Sequence, residues 1–385
     1  MRRCYEYSEL RFLLPHWTYV FKYNNEVNFP MHFNQLKPEH VGQSITVLAR
    51  VERVFQTGGP TLFTLFDGYG QITAKGFLRP GGRAYPEIDA GDVVAAEIRV
   101  QDYDGKLEGE LIAMEKRDPL DFAAQITEAN EKRFAIGDGP FLIQSEWLDT
   151  LRPVMKEAAI LIKRAIYAKR PIIVRHNADC DGYSGAFALE RAMVPLLKEV
   201  HGDNYQWRFY RRGPSRAPFY AYSDAVSDVG AAETAPLIIV VDSGSGKEDA
   251  LAIKQVNMYG CTVIVVDHHV VSAQSAGLLA DVFVNPWRAG GDSRMTSGML
   301  GAEIARMIYP HVLAIEFLPA LSGMGDKSTG PVMEQYVALA QKQGLDADYL
   351  KKTALAIDYA AHSLRFMEGK SVVDDLLGAD LSKQK

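Results

Sequence analysis

Residues 237–246 read LIIVVDSGSG, five apolar residues followed at once by an aspartate and a glycine-rich turn. Residues 263–269, VIVVDHH, repeat this pattern with two histidines after the aspartate. Short continuous apolar runs are typical of parallel strands that are buried on both faces, and residues 172–174 and 282–284 have the same character. Helices are predicted between these runs, near 184–200, 247–258 and 297–308. The alternation predicts an α/β fold built on a doubly wound parallel sheet.

A different pattern precedes this sheet, from residue 42 to about residue 114. Short strand-like stretches are separated by turn signals such as Asp67-Gly68 and Asp104-Gly105. Five such strands predict a small all-β Greek-key barrel. The chain is therefore divided into an N-terminal segment of unknown role (1–30), a barrel domain (31–116), a linker with a helical piece (117–145), an α/β domain (146–365) and a tail (366–385).

Composition excludes some classes of protein. The chain has 385 residues, 47% hydrophobic and 23% charged, without a run of about 18 apolar residues that could span a membrane. Its three cysteines form no CxxC pair, which argues against a disulfide framework or a cysteine-rich zinc site and favours the cytoplasm. A net charge of −6 argues against a protein that simply coats DNA, but it is compatible with an enzyme whose carboxylates bind metal ions.

Four polar clusters follow the predicted strands or lie in later loops. They are residues 176–182 (HNADCDG), 242–246 (DSGSG), 267–269 (DHH) and 323–326 (GMGD). Open α/β sheets bind ligands at the carboxyl ends of their strands, so these clusters are expected to meet at one edge. Aspartate and histidine together suit Mn²⁺, Mg²⁺ or Zn²⁺. There are enough carboxylates for two ions about 4 Å apart, the arrangement that assists phosphoryl displacement.

Each cluster also has a purely structural interpretation. An Asp-x-Asp-Gly sequence is often only a turn, Asp242 and Asp326 could cap helices, and His268 and His269 could be a hydrogen-bonded pair. Because all four clusters occur in order and beside the predicted strand ends, a shared chemical role explains them better than four separate structural ones.

The ordered set resembles the four motifs of the DHH phosphoesterases. The resemblance covers roughly residues 145–365, and residues 285–287 (NPW) with Ser297-Gly298 are similar to the stretch that follows the DHH triplet in RecJ-type nucleases. A barrel before the catalytic domain is similar to the archaeal RecJ-like single-strand nucleases. This likeness implies that residues 31–116 are an OB-fold nucleic-acid-binding domain and that residues 146–365 are the DHH catalytic domain. The resemblance implies that the tail leads to a DHHA1 domain, which the sequence up to Lys385 does not contain.

The resemblance also implies roles for individual residues. The implied cofactors are two Mn²⁺ or Mg²⁺ ions, and the implied metal ligands are Asp179, Asp181, Asp242, His268 and Asp326, with His176 as a further candidate. Asp267 and His269 would be catalytic, with Asp267 orienting its neighbour or touching metal and His269 facing the scissile phosphate. Ser297 and Gly298 would contact the substrate.

The densest basic and aromatic stretch contains Arg211, Arg212 and Arg216. It either contacts the substrate backbone or forms an ordinary solvated loop. Aromatic residues of the barrel likewise either stack on bases or fill the barrel core.

The function predicted from these features is metal-dependent phosphodiester hydrolysis by a RecJ-like exonuclease on single-stranded DNA or RNA. One alternative is a DHH enzyme for very short RNAs or cyclic dinucleotides. Another is a replication-complex factor, and family analogy adds a GINS-like replication protein as a partner.

Overall fold

The structure is a computed structural model that describes residues 31–363 and 369–378. The predicted N-terminal segment (1–30) and part of the predicted tail (366–385) lie outside these residues. The chain divides into two compact units, one ending at Arg133 and the other beginning at Phe134.

The first unit contains a closed five-stranded barrel. Its strands are β1 (Ser44–Gln56), β2 (Thr61–Phe66), β3 (Gln71–Gly76), β4 (Val93–Tyr103) and β5 (Lys106–Arg117). They are hydrogen-bonded in the order β1-β2-β3-β5-β4, and β1 pairs with β4 to close the ring. This arrangement confirms the predicted all-β barrel, and it is OB-like in its Greek-key order.

Alternation of side chains sets the two faces of the barrel. In β2 the sequence TLFTLF places Phe63 and Leu65 inside, where both are fully buried. Asp67 then makes the turn, because its Oδ1 accepts hydrogen bonds from the backbone N–H groups of Tyr69 and Gly70 at 2.9 and 2.7 Å. Helix α1 (Pro119–Phe134) follows β5 and occupies much of the stretch predicted as a linker.

The second unit is built on a five-stranded parallel sheet. Its strands are β6 (Ile172–His176), β7 (Tyr210–Pro214), β8 (Leu237–Val241), β9 (Thr262–Val266) and β10 (Val282–Val284). Its helices are α2 (Glu146–Tyr167), α3 (Cys180–His201), α4 (Tyr205–Arg208), α5 (Tyr222–Gly230), α6 (Ala250–Met258), α7 (Ser297–Ile308), α8 (Leu318–Gly325), α9 (Pro331–Lys342), α10 (Ala347–Ser363) and α11 (Gly369–Leu376).

The sheet is buried on both faces. Along β8, Leu237, Ile239 and Val241 belong to one apolar core, whereas Ile238 and Val240 belong to a second core on the opposite face. Continuous apolar sequence is therefore required, because every side chain of the strand leaves water. This two-sided packing confirms the predicted doubly wound α/β fold.

The strand order creates a site for a ligand. The order is β10-β9-β8-β6-β7, so the chain leaves β6 towards β7 on one side and later builds β8, β9 and β10 on the other. In open α/β sheets such a reversal opens a crevice at the carboxyl ends of the two strands beside it. Here those strands are β6 and β8. Within residues 31–363 and 369–378, none of the helices has the length and apolar character needed to cross a membrane.

Candidate metal centre

Three strands end at the same level beside the crevice. His176 of β6 is paired with Val241 of β8, and Val241 is paired with Val266 of β9. The residues that follow, among them Asp242 and Asp267, are therefore carried to one edge by the register of the sheet. This is the convergence predicted from the apolar runs.

Asp242 is held in an unusual backbone conformation. Its φ is +56°, in the left-handed region, while its N–H donates to Val266 O at 2.9 Å. A non-glycine residue in this region costs on the order of 1 kcal/mol, and such strain is concentrated at functional sites. Burial, together with the nearby charge of Asp181, raises the pKa of Asp242 well above its ordinary value.

Asp181 is fully buried, and protein donors hold both of its carboxylate oxygens. Oδ2 accepts the N–H of Ser297 at 2.9 Å, and Oδ1 accepts the N–H of Gly298 at 2.7 Å. The Ser322 hydroxyl also donates to Oδ1, at 2.5 Å. The two N–H groups belong to the first turn of α7, where unpaired amides favour a negative charge. The orientation of Asp181 is therefore fixed by the protein.

His268 lies at the centre of the acidic cluster. Its Nδ1 donates to Ser293 O at 2.8 Å, which leaves Nε2 directed at carboxylates. Three carboxylate oxygens surround Nε2: Asp326 at 3.1 Å, Asp242 at 3.3 Å and Asp181 at 3.6 Å. Burial alone would lower the pKa of His268, but its hydrogen bonds with Asp242 and Asp326 raise it to about 12. The surroundings of Nε2 thus strongly favour a positive charge.

Asp267 accepts hydrogen bonds from both histidines and thereby orients them. It is fully buried, and its Oδ1 accepts the backbone N–H of His268 at 2.8 Å and the Nδ1–H of His269 at 2.7 Å. Burial pushes the pKa of Asp267 upward, but the hydrogen bond and charge of His269, the hydrogen bond from Ser245 and the charge of His268 together outweigh it. They bring the pKa down to about 2. In return the Asp267 carboxylate raises the pKa of His269, whose side chain is 57% exposed.

Asp179 caps α3 beside this cluster. Its Oδ1 accepts the N–H of Gly182 at 2.9 Å. Burial and the charge of Asp181 raise its pKa to about 6. Position 182 needs glycine because a Cβ there would collide with the backbone oxygen of Asn177. This close approach explains the glycine of the Asp-x-Asp-Gly sequence.

The donor set fits divalent metal ions. The site contains two groups of possible metal ligands, and within each group the donor atoms lie within 4.8 Å of one another. Both groups include His268. The first adds Asp181 and Asp326, and the second adds Asp242, Asp267 and His269. Two ligands at right angles on an ion with bonds of about 2.1 Å are about 3 Å apart, close to the separations around Nε2 of His268. Oxygen and imidazole donors without thiolates match Mn²⁺ or Mg²⁺.

His176 and Asp179 are absent from these two groups among the described residues. His176 is buried, and its Nδ1 donates to Asn177 O at 2.7 Å while its ring packs edge-on against Tyr183. Asp179 is linked to the cluster through its contact with the side chain of Asp242. Their roles as metal ligands stay predictions.

Three residues predicted to contact the substrate have partners within the protein, and their contacts with substrate stay predictions. Ser297 and Gly298 are buried, and their N–H groups are used to hold Asp181. The side chain of Arg212 is only 1% exposed and is paired with Glu190 at 2.6 Å and Asp374 at 2.5 Å. A guanidinium paired in this way forms a structural ion pair.

The two other arginines of that stretch are exposed, so their predicted substrate contacts stay predictions. Arg211 lies in the edge strand β7, and Arg216 follows the end of the strand. The Arg216 side chain is 68% exposed and lies 3.5 Å from Asp224. Because Ser215 N–H donates to His176 O, Arg216 is carried to the same edge of the sheet as the metal cluster.

Three supporting residues were missed by the sequence reasoning. Ser322 binds Asp181, Ser293 binds His268, and Asp358 of α10 accepts the N–H of Cys180 at 2.7 Å. No signal in the sequence identifies them, since each reaches the site from a distant segment. Ser322 alone lies near a recognised cluster, four residues before Asp326.

Residues 171–313 match the model of the DHH family, N-terminal domain. This chain carries a DHH domain. The match spans β6 to α7 and includes every residue of the two donor groups except Asp326.

A curated protein is similar in sequence to most of this chain. The chain is 38% identical to the uncharacterized protein MJ1198 of Methanocaldococcus jannaschii over 405 residues, which covers 96% of this chain and 53% of that protein. The chain thus spans about half the length of the curated relative it matches.

Two solved structures are also similar to this chain. One described as "Member of s1p family of ribosomal proteins PF0399 DHH domain" is 39% identical with a TM-score of 0.62, covering 67% of this chain and 63% of that chain. A crystal structure of the exonuclease RecJ bound to manganese is a more remote likeness, 20% identical with a TM-score of 0.43, covering 59% of this chain and 62% of that chain.

Proposed function

We propose that this protein is a metal-dependent phosphodiesterase that acts as a RecJ-like exonuclease on single-stranded DNA or RNA. The observation that carries the proposal is the convergence of three carboxylates on Nε2 of His268 at the crevice beside β6 and β8. Asp181 and Asp242 are buried, and bringing carboxylates this close is costly unless cations neutralise them.

The DHH domain offers ligands for two Mn²⁺ or Mg²⁺ ions. Asp181 and Asp179 would each hold one ion, Asp242 would lie between them, and His268 and Asp326 would complete the set. When bound, such ions supply positive charge to the phosphate and lower the pKa of an attacking water. The Asp181 carboxylate is already oriented by α7, so little reorganisation is needed for binding.

His269 has the properties of a group that meets the scissile phosphate. Its side chain is 57% exposed, while its Nδ1–H is fixed on Asp267 at 2.7 Å. Asp267 raises the pKa of His269, which favours a proton on Nε2 as well. The exposed Nε2–H can then donate to a phosphate oxygen, and Asp267 orients the ring without touching the substrate.

The barrel supplies a surface suited to single strands. Phe55 of β1 is paired with Leu62 of β2, which is paired with Lys75 of β3, so the three side chains form one row on the outer face. Phe55 is 53% exposed, and the exposed Arg53 lies over its ring. Tyr103 is also exposed, and the half-buried Lys75, which is paired with Glu108, lies 4.2 Å from its ring centre. Exposed aromatic and basic groups bind bases by stacking and phosphates by charge.

The decisive test is digestion of end-labelled DNA and RNA ladders with Mn²⁺, with Mg²⁺ and with EDTA. We expect stepwise shortening of single strands that requires the metal, and loss of cleavage in the variant Asp242→Asn. Cleavage in EDTA, or an Asp242→Asn variant as active as the wild type, would contradict the metal mechanism. Activity confined to dinucleotides or cyclic dinucleotides would favour the alternative class of DHH enzyme.

A second test separates the barrel from the chemistry. The variant Phe55→Ala should weaken binding of a long single strand by about tenfold, because stacking contributes about 1–3 kcal/mol per base. Cleavage of a dinucleotide should be unchanged. The matched control is Ile112→Ala, which removes another exposed apolar side chain from the barrel. Equal losses on both substrates would show that the barrel shapes the active site. A GINS-like partner stays a prediction, to be tested by co-purification.

A further inference from the structure

The turn that carries two of the proposed metal ligands is anchored by a residue far away in sequence. Cys180 lies between Asp179 and Asp181, and it is the first residue of α3. Its backbone N–H is one of the helix N-terminal amides that no earlier carbonyl can accept. The Oδ1 atom of Asp358, on α10, accepts this N–H at 2.7 Å across 178 positions of sequence.

This contact is a built feature of the core. Cys180 is only 1% exposed, so its N–H would be costly to leave unpaired. The side of α10 that carries Asp358 is packed through the buried residues Ala354, Ile357 and Ala361. The acceptor is therefore presented by a rigid helix and not by a mobile loop.

An aspartate is an expensive choice at this position. Burial and, to a lesser degree, the charge of Asp326 raise the pKa of Asp358, whereas the hydrogen bond from Cys180 lowers it. A neutral acceptor would avoid the repulsion with the acidic cluster. The charge becomes favourable when the cluster holds cations, because it adds to the attraction of the site without contacting the ions.

We propose that Asp358 is a positioning residue for the metal centre, which fixes the backbone of the Asp179–Asp181 turn. The proposal rests on the metal chemistry proposed above. Asp181 is held through its carboxylate by the N–H groups of Ser297 and Gly298, and the backbone of the turn is held through Cys180 by Asp358. Together these contacts fix both the position and the direction of the carboxylates before any ion arrives.

The test compares three variants by titration with Mn²⁺, in which electron paramagnetic resonance reports the free ion. Asp358→Ala removes the acceptor, whereas Asp358→Asn keeps an oxygen acceptor and removes only the charge. Asp348→Ala is the matched control, an exposed aspartate of the same helix paired with Lys352. We expect Asp358→Ala to weaken Mn²⁺ binding by about 10- to 100-fold, the range typical of residues that support metal ligands. Asp358→Asn should recover most of this loss, and Asp348→Ala should match the wild type.

A second readout needs no metal. Amide hydrogen exchange of peptides spanning residues 179–183, measured in EDTA, should be faster in Asp358→Ala and close to wild type in Asp358→Asn. Circular dichroism and the Tm identify a variant that has failed to fold. If Asp358→Ala does not fold, Asp358→Asn alone decides the test. Hydrogen exchange equal to wild type, with Mn²⁺ affinity close to wild type, would then support the proposal.

Three results would overturn the inference. Wild-type affinity in Asp358→Ala would show that the contact does not position the ligands, and wild-type hydrogen exchange in Asp358→Ala would show that it does not anchor the turn. Equal weakening in Asp358→Ala and Asp358→Asn would assign the effect to charge instead of position. In each case Mn²⁺ binding by the wild type would leave the proposed function standing. A wild type that binds no Mn²⁺ would remove the proposed function and this inference together.

Discussion

Replacing Asp179 by asparagine should stabilise the metal-free protein at alkaline pH. Burial and the charge of Asp181 raise the pKa of Asp179 from 3.8 to about 6. Each step of one in pKa corresponds to about 1.4 kcal/mol, so the ionised carboxylate costs at most about 3 kcal/mol of folding free energy. Asparagine removes the charge but keeps the oxygen that accepts the N–H of Gly182. The amide nitrogen replaces the oxygen that accepts the side-chain N–H of Asn177, so the measured gain should be smaller than the full electrostatic cost.

The sign of the pH dependence follows from proton binding. Between pH 4 and pH 6 the folded protein retains a proton on Asp179 that the unfolded chain has already lost. The free energy of unfolding of the wild type therefore falls as pH rises through this window. The difference between Asp179→Asn and wild type should be near zero at pH 4 and approach its maximum by pH 8. For a unit of this size, that maximum corresponds to an increase in Tm on the order of 5–10 °C.

The assay is thermal and urea unfolding in EDTA at pH 4, 6 and 8, with Asp348→Asn as the exposed control. Saturating Mn²⁺ should abolish or reverse the difference, because binding to the folded wild type adds stability by mass action. An Asp179→Asn variant no more stable than wild type at pH 8 would refute the reasoning, as would a stability difference that is equal at all three pH values.

Other substitutions test the remaining contacts. His268→Ala should reduce metal-dependent hydrolysis by more than about 100-fold, measured as kcat/KM, and should abolish one Mn²⁺ site in a binding titration. Gly298→Ala should weaken Mn²⁺ binding by about tenfold, because the added Cβ would lie 2.5 Å from Cβ of Ser322 and 3.0 Å from Oδ1 of Asp181, and would displace the contacts that hold this carboxylate. Unchanged affinity would show that these side chains can move without loss of the site. Arg212→Ala should cost about 3–5 kcal/mol in urea unfolding, because it leaves two partly buried carboxylates without their partner. Its kcat on a dinucleotide should stay within about twofold of wild type, and a selective loss of substrate affinity would instead support Arg212 as a substrate contact.

Four of the five strands of the sheet were predictable because almost all of their side chains are buried. Residues 237–241 form a strand with the predicted bounds, and the helix predicted near 297–308 begins and ends where expected. β7 was missed because it carries Arg211 and Arg212, and a buried arginine is tolerated only through its acidic partners. Those partners come from α3 and α11, and sequence pattern does not show that they meet.

The sequence predicted the candidate site where the site depends on the sheet, and failed where it depends on contacts between distant segments. Adjacent parallel strands bring Asp242 and Asp267 together by register alone, so their proximity followed from the apolar runs that precede them. The function of Ser297 and Gly298 was not predictable, because it depends on where α7 begins relative to a carboxylate more than a hundred residues earlier. The contact of Asp358 with Cys180 was not predictable for the same reason, because the two residues are 178 positions apart in the sequence.

The way in which α7 holds Asp181 has a consequence for the choice of ion. A carboxylate fixed by two amides and a hydroxyl cannot easily swing outward to enlarge its coordination sphere. Mg²⁺ has bond lengths of about 2.1 Å, whereas Ca²⁺ prefers six to eight oxygens at about 2.3–2.6 Å in a flexible shell. If the proposed metal centre is held in this manner, we expect it to discriminate between ions by their radius. Ca²⁺ is also a hard divalent cation that prefers oxygen ligands, but it should compete poorly with Mg²⁺ or Mn²⁺ for this site.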